Sequence, residues 1–309
     1  MRSLGNSGLH VSRIGLGCVT FGREIDEQTS FAIMDYAIAH GINIFDTAES
    51  YGNGESERII GRWLHARGCR DQIILQTKVK PPFTLKRIQQ ALSGSLGRLS
   101  TDYVDIYLFH EFDQSILIEE ALYAMTLAVH SGDVRAIGCS NFTVRQLNAS
   151  ENISKHYDFV RFEVVQPVYN ILSREIESRL LPYCQKNKIG VMSYSPLAAG
   201  FLTGKYTQDL GTVPQGSRFS LVPGHRDLYC SPRNFAILQK LKRLADDNQT
   251  TMSRLALGWV LRNTRLDSIL IGVTSVSHVS NAIEALLTRL DSGLVEEMDR
   301  WGILPNSAD

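Results

Sequence analysis

Residues 73–110 read IILQTKVKPPFTLKRIQQALSGSLGRLSTDYVDIYLFH. Two apolar runs rich in β-branched residues, Ile73–Val79 and Val104–His110, flank a segment in which Leu85, Ile88, Leu92, Leu96 and Leu99 recur at helical spacing. A strand, a helix and a second strand in that order make a βαβ unit, whose two strands lie parallel in one sheet. Each run closes on a polar side chain, Lys78 near the end of the first and His110 at the end of the second.

The same rhythm continues in both directions. Ile14–Gly17, Asn43–Thr47, Val134–Ser140, Val164–Pro167, Gly190–Ser195 and Ser268–Val273 bring the candidate strands to eight. Helical spacing predicts helices over Thr29–His40, Glu55–Ala66, Thr84–Leu99, Ile116–His130, Val144–Ser150, Arg174–Lys186 and Ser253–Arg262. Eight such units in 309 residues predict an α/β fold of the (β/α)8 (TIM) barrel type, as a single domain over residues 1–309. The alternative, an open doubly wound sheet, calls for a Gly-rich phosphate turn after its first strand, and Gly15-Leu16-Gly17-Cys18-Val19-Thr20 fails that register. Ser3–Leu4 and His10–Val11 around Asn6-Ser7-Gly8 predict an N-terminal β-hairpin. The Gly-, Pro- and Ser-rich stretch Ala198–Ser231 predicts a long lid or binding loop after the seventh strand.

Composition narrows the function. With 32 basic and 32 acidic side chains the formal net charge is zero, which argues against a dedicated nucleic-acid or membrane-surface partner. The five cysteines form no C-x-x-C pair, so neither a zinc ribbon nor a thioredoxin-like motif is available, and no metal site is expected. No signal-like apolar region opens the chain, and with free thiols this predicts a cytoplasmic protein.

In a barrel the chemistry sits at the carboxyl ends of the strands. Asp46, Lys78 and His110 end three successive strands, 32 residues apart at each step, so topology brings them to one rim. Core packing has no use for an acid, an ammonium and an imidazole together. Tyr51 follows Asp46 closely. A free phenol is a poor acid near neutral pH, and a neighbouring ammonium such as Lys78 lowers its pKa. Asp46 then holds Lys78 charged, and His110 positions a substrate oxygen by a hydrogen bond. The set predicts proton transfer to a carbonyl oxygen.

Over nearly its whole length the chain resembles the aldo-keto reductases. The resemblance rests on an ordered series: Leu16-Gly17-Cys18, Phe45-Asp46-Thr47-Ala48 with Tyr51-Gly52 and Glu55, Thr77-Lys78-Val79, Asp105–His110, Gly138-Cys139-Ser140-Asn141-Phe142, Gln166 with Tyr169-Asn170, Tyr194-Ser195-Pro196-Leu197 and Gly200–Lys205. It implies a nicotinamide-dependent enzyme that reduces an aldehyde or ketone, a sugar-derived carbonyl among the candidates, to an alcohol. The family tetrad carries over onto Asp46, Tyr51, Lys78 and His110, with Tyr51 as proton donor. By the same resemblance Ser140, Asn141 and Gln166 bind the carboxamide, and Tyr194 stacks on the nicotinamide. Gly17, Cys18 and Val19, with Ser195, Pro196, Leu197, Gly200 and Lys205, line the ribose and pyrophosphate. Phe83 and Glu111, beside Tyr51 and His110, are the substrate candidates.

The adenosine end departs from the family pattern. Gly272-Val273-Thr274-Ser275-Val276-Ser277-His278 stands where many members place Lys or Arg for a 2′-phosphate, yet no basic Lys or Arg lies between Arg265 and Arg289. Only Thr274, Ser275 and His278 offer donors. NADP(H) is the expected cofactor, with NAD(H) the alternative. Two rival functions stay open: a cofactor-binding regulatory subunit of the channel β-subunit type with little turnover, and a barrel aldolase or isomerase using Lys78 in a Schiff base. Substrate identity, direction and oligomeric state are left open by the sequence.

Overall fold

In the computed structural model, which describes residues 1–208, 213–288 and 290–301, eight parallel strands close into a barrel. A two-stranded hairpin precedes it, β1 (Arg2–Ser3) paired antiparallel with β2 (His10–Val11). The barrel strands are β3 (Ile14–Gly17), β4 (Ile44–Asp46), β5 (Ile74–Val79), β6 (Val104–Phe109), β7 (Val134–Ser140), β8 (Phe162–Gln166), β9 (Gly190–Tyr194) and β10 (Ser268–Gly272). Each pairs with its neighbour in sequence, and β10 pairs with β3 to close the ring. The (β/α)8 barrel with its N-terminal hairpin is therefore the fold.

Backbone contacts divide the chain into two compact units, described in turn. The first, Met1–Pro167, Ile176–Tyr194 and Arg265–Val279, contains the whole barrel. Its helices are α1 (Glu27–Ala39), α2 (Glu55–Arg67), α3 (Leu85–Leu99), α4 (Ile118–His130), α5 (Val144–Tyr157) and α6 (Leu180–Asn187). In α3 the Thr84 hydroxyl accepts from the Arg87 N–H at the start, and Ser100 stops the helix in the left-handed region at φ 52°. Between them Ile88, Ala91, Leu92 and Leu99 turn one face inward, each large side chain contributing about 1.5–3 kcal/mol by leaving water.

The hairpin closes the barrel floor. Leu4, Leu9 and Val11 join Ile44, Ile106, Leu108, Ala136, Val164, Met192 and Leu270 in one apolar cluster. Gly5, at φ +51°, lies so close to the start of β9 that a Cβ there would stand 2.3 Å from the Gly190 nitrogen. Gly138 in β7 is equally constrained: an added Cβ would meet the Val164 carbonyl oxygen at 2.2 Å, where the β7–β8 register shifts. With the floor sealed by aliphatic side chains, the polar groups of the barrel collect at the carboxyl ends of the strands.

The second unit comprises Val168–Glu175, Ser195–Thr264 and residues from Ser280 onward. It holds α7 (Arg218–Leu221), α8 (Gly224–Tyr229), α9 (Pro232–Asp247), α10 (Met252–Leu261) and α12 (Ser292–Trp301), while α11 (Val276–Leu287) starts in the first unit. Tyr169 stacks on Trp259 at 5.4 Å, and the Trp259 indole N–H donates to Asp299.

Three expectations change in detail. Ala198–Ser231, read as irregular, carries a 3-10 turn over Ala198–Thr203 and the short helices α7 and α8, while residues 209–212 lie outside the described residues. Helix Val144–Ser150 runs on to Tyr157, ended by Asp158 at φ 56°. Helix Arg174–Lys186 begins only at Leu180, because Asn170 Oδ1 takes the N–H groups of Leu172 and Ser173 in a tight turn and a separate 3-10 turn follows at Glu175–Glu177.

Candidate active site

Asp46 is the last residue of β4, Lys78 lies near the end of β5, and His110 directly follows β6. These strands are consecutive neighbours in the barrel, so the three side chains rise at one rim. Tyr51 arrives from the loop after β4. That loop stays zipped to β5 by Thr47 N–H on the Gln76 carbonyl (2.8 Å) and Glu49 N–H on the Lys78 carbonyl (3.2 Å). It then turns sharply through Gly52 and Asn53 at φ 56° and 53°, and Ser56 Oγ ties it back to the Cys18 carbonyl at 2.8 Å.

The ammonium of Lys78 has no exposed surface, and its three donors are all satisfied. They reach Asp46 Oδ1 at 2.6 Å, the Thr47 carbonyl at 2.9 Å and the Tyr51 phenol oxygen at 3.1 Å. Burial alone would favour neutral lysine, but Asp46 and Tyr51 outweigh it and Lys78 is held above its ordinary pKa. For Tyr51 the balance goes the other way: burial pushes the phenol up, and the opposing pull of Lys78 does not cancel it. The sequence expectation of a net lowered Tyr51 pKa is thus corrected by desolvation. A phenol held protonated at neutral pH can donate its proton, and Lys78 already stands where phenolate charge would develop.

His110 presents its ring edge-on to Tyr51, with centroids 5.8 Å apart and planes at 77°. Its Nδ1 is buried with no hydrogen-bond partner. Burial, then Lys78 and Lys80, lower its pKa to about 3, so the ring is a neutral imidazole at physiological pH. Its backbone is fixed by its own N–H on the Val79 carbonyl (2.9 Å) and by Asn141 Nδ2 on its carbonyl (3.2 Å).

Asp46 is only 4% exposed and gathers more donors than the sequence shows. Besides Lys78, its Oδ1 accepts from Gln166 Nε2 across the barrel at 3.0 Å and from Gln76 Nε2 on the adjacent strand. Gln76 was missed at the sequence level. Its one sequence signal is an amide in the strand run Ile73–Val79 on the same face as Lys78 two residues on, and only the register beside Asp46 gives it meaning. Its other amide atom, Oε1, is buried without a partner, a penalty of about 1–3 kcal/mol for an unsatisfied acceptor.

The carboxamide candidates occupy the same rim. Ser140 ends β7 and donates to the Gln166 carbonyl at 2.8 Å; Gln166 ends β8. Asn141, at φ 60°, accepts from the Tyr194 hydroxyl at 2.9 Å, and Tyr194 ends β9 half-buried. A hydroxyl, two amides and a phenol ring suit a nicotinamide with its carboxamide. Gly17 pairs with both Asp46 and Gly272, Cys18 N–H donates to the Asp46 carbonyl at 2.8 Å, and Val19 is half-buried beside it. The Cys18 thiol itself is buried and its pKa stands well above the usual thiol range, first through desolvation and then through Asp46. Thr20 Oγ1 donates to the Val273 carbonyl at 2.6 Å, joining the loops after β3 and β10. Thr274 and His278 are exposed and face each other, with the Thr274 N–H 3.3 Å from His278 Nδ1; Ser275 lies between them, half-buried.

Ser195, Pro196, Leu197, Gly200 and Lys205 belong to the second unit. There Ser195, Ala198, Ala199 and Gly200 all take positive φ, the Ser195 carbonyl accepts from Asn170 Nδ2 at 3.0 Å, and Lys205 lies over the Tyr206 ring at 5.3 Å. Of the substrate candidates, Glu111 is exposed beside His110, whereas Phe83 is 1% exposed and stacked on Phe109 at 4.3 Å, within the packing beneath the rim. Phe112, packed edge-on against Phe142, is the more accessible ring. Among the described residues no cluster of His, Cys, Asp or Glu is arranged to hold a metal ion, and no helix is long and apolar enough to cross a membrane.

The aldo/keto reductase family model matches residues 13–302. A probable voltage-gated potassium channel subunit beta of Arabidopsis thaliana is 33% identical over 299 residues, covering 92% of this chain and 90% of that protein. The uncharacterized oxidoreductase YrpG of Bacillus subtilis (strain 168) is 33% identical over 314 residues, covering 96% and 94%. The aldo-keto reductase YhdN of the same organism is 33% identical over 287 residues, covering 87% and 83%. The chain belongs to the aldo/keto reductase family of nicotinamide-dependent carbonyl oxidoreductases.

Proposed function

We propose that the protein reduces an aldehyde or ketone to the alcohol with Tyr51 as the proton donor. The observation that carries this reading is the Asp46–Lys78–Tyr51 relay around the buried Lys78 ammonium, 2.6 Å and 3.1 Å in its two links, with neutral His110 at the edge of the half-buried phenol. Ser140, Asn141 and Gln166 would hold the carboxamide, with Tyr194 against the ring. When bound, the reduced nicotinamide supplies the hydride.

The chain's own residues then manage one proton. His110, as a neutral N–H donor, orients the carbonyl oxygen toward Tyr51. As negative charge builds on that oxygen, Tyr51 passes its phenolic proton to it. Lys78 stabilises the phenolate left behind, at a site where burial strengthens the attraction. Asp46 keeps Lys78 charged through the cycle.

The proposed cofactor is NADP(H), with the 2′-phosphate received by Thr274, Ser275 and His278. Two hydroxyls and an imidazole lack the bidentate guanidinium fork that holds a phosphate firmly, so the preference over NAD(H) is expected to be modest. Loss of reduced-nicotinamide absorbance, followed separately with NADPH and NADH over a panel of aldehydes, ketones and sugars, tests the proposal. The expected result is turnover with both cofactors and a faster rate with NADPH. A second reading, a cofactor-binding regulatory subunit, draws on the relative named as a channel subunit beta. Measurable binding of NADPH without turnover of any panel member would favour it.

A further inference from the structure

We propose that Gln76 is a positioning residue for the proton relay, holding the Asp46 carboxylate and keeping Tyr51 acidic enough to donate. This rests on the reading of Tyr51 as proton donor. Gln76 is fully buried, and its Cα is in register with Asp46 on one side and Ile106 on the other. Ile74 precedes it on the same face of β5 and Ile106 stands in register on β6, both part of or packed against the apolar core, so an aliphatic side chain is what packing alone would select. An amide here leaves Oε1 without a partner, an arrangement that packing does not explain.

Nε2 does have a partner, the oxygen of Asp46 that also binds Lys78 and Gln166. The anion fixes the amide's orientation, since a carbonyl turned toward a carboxylate would be repelled. Two effects follow. The Gln76 N–H dipole offsets part of the negative potential that Asp46 imposes on Tyr51, and that potential raises the phenol's pKa. The same bond, made from β5 itself, restrains the carboxylate so that Lys78 stays within reach of Tyr51.

The test compares wild type, Gln76→Leu, Gln76→Glu and Tyr51→Phe as holoenzymes, using the reduced nicotinamide and the fastest carbonyl of the panel. Single-turnover rates against pH, cofactor affinity and the thermal midpoint are measured for each. Gln76→Leu removes the orphaned oxygen and is expected to fold and to bind cofactor within about twofold of wild type, yet to lose roughly tenfold in rate at neutral pH. Its alkaline limb, which reports Tyr51 ionisation, is expected to move up by about half a pH unit or more. Gln76→Glu is expected to retain most activity at acidic pH, where a protonated carboxyl can donate to Asp46. It should then lose activity as that carboxyl ionises, adding a limb that wild type lacks.

A Gln76→Leu rate and pH profile equal to wild type would overturn the proposal. So would a lower rate with unmoved limbs, since that is the behaviour of a merely structural residue. Failure of the underlying reading looks different: Tyr51→Phe would keep the wild-type rate, or wild type would turn over nothing while binding cofactor.

Discussion

Replacing Asp46 with asparagine tests the electrostatic account of the relay where it is most exposed to error. In the folded protein Lys78 is wholly buried, and among the described residues its only anionic partner is Asp46 at 2.6 Å. Asp46→Asn leaves the ammonium facing the Thr47 carbonyl and the Tyr51 phenol, both neutral. The new amide must also choose which donors its single oxygen serves, among Lys78, Gln76 and Gln166. Removing one member of a buried ion pair costs about 3–5 kcal/mol. Unfolding a chain of this length carries roughly 2 cal/mol/K of entropy per residue, so the midpoint should fall by about 5–8 °C.

The pH dependence has a definite sign. In wild type the folded pKa of Lys78 is raised above the ordinary 10.5, so its stabilisation is complete below that value and is lost only as pH climbs through the raised one. In the variant, burial acts without Asp46 and the folded pKa drops below 10.5. The unfolded chain then binds more protons, and the variant regains stability as pH rises toward 10.5. Denaturation at about pH 7 and again at about pH 9.5 should show the deficit shrinking. No deficit at neutral pH, or one that widens with pH, would refute the charged-pair account.

Two further outcomes follow from particular contacts. Because burial, Lys78 and Lys80 depress His110 to about 3 against 6.5 in the unfolded chain, stability should decline as pH falls between those values and be unaffected by this group above 6.5. His110→Gln should flatten that slope, and an NMR signal of His110 titrating near its ordinary value would contradict the neutral ring. Gly138→Ala should destabilise by about 1–3 kcal/mol in chemical denaturation, as its Cβ would have to displace the Val164 carbonyl; an unchanged midpoint would show that β7 and β8 are spaced more loosely than described.

The barrel was legible because its signal is repetitive. Eight aliphatic runs at βα spacing survive a residue or two of error at each end, as the shift from Asn43–Thr47 to Ile44–Asp46 illustrates. Asp46, Lys78 and His110 were legible because polar side chains at strand ends break that pattern. What stayed hidden depended on distance in space. Gln76 interrupts a strand no more conspicuously than Thr77, and only the barrel's closure shows that it and Gln166 converge on one carboxylate oxygen. The Tyr51 shift stayed hidden for the same reason: Lys78 could be inferred beside it, but the desolvation that dominates depends on what the folded chain packs around the phenol. Ala198–Ser231 hid α7 and α8 because helices of six residues or fewer leave no periodicity to read.

The most direct test of the central claim is the single-turnover rate of Tyr51→Phe with reduced nicotinamide bound, with cofactor affinity measured on the same preparation. Losing the phenol that passes the proton should cost about a hundredfold or more in rate, with affinity little changed. A Tyr51→Phe enzyme that reduces its carbonyl as fast as wild type would contradict the account.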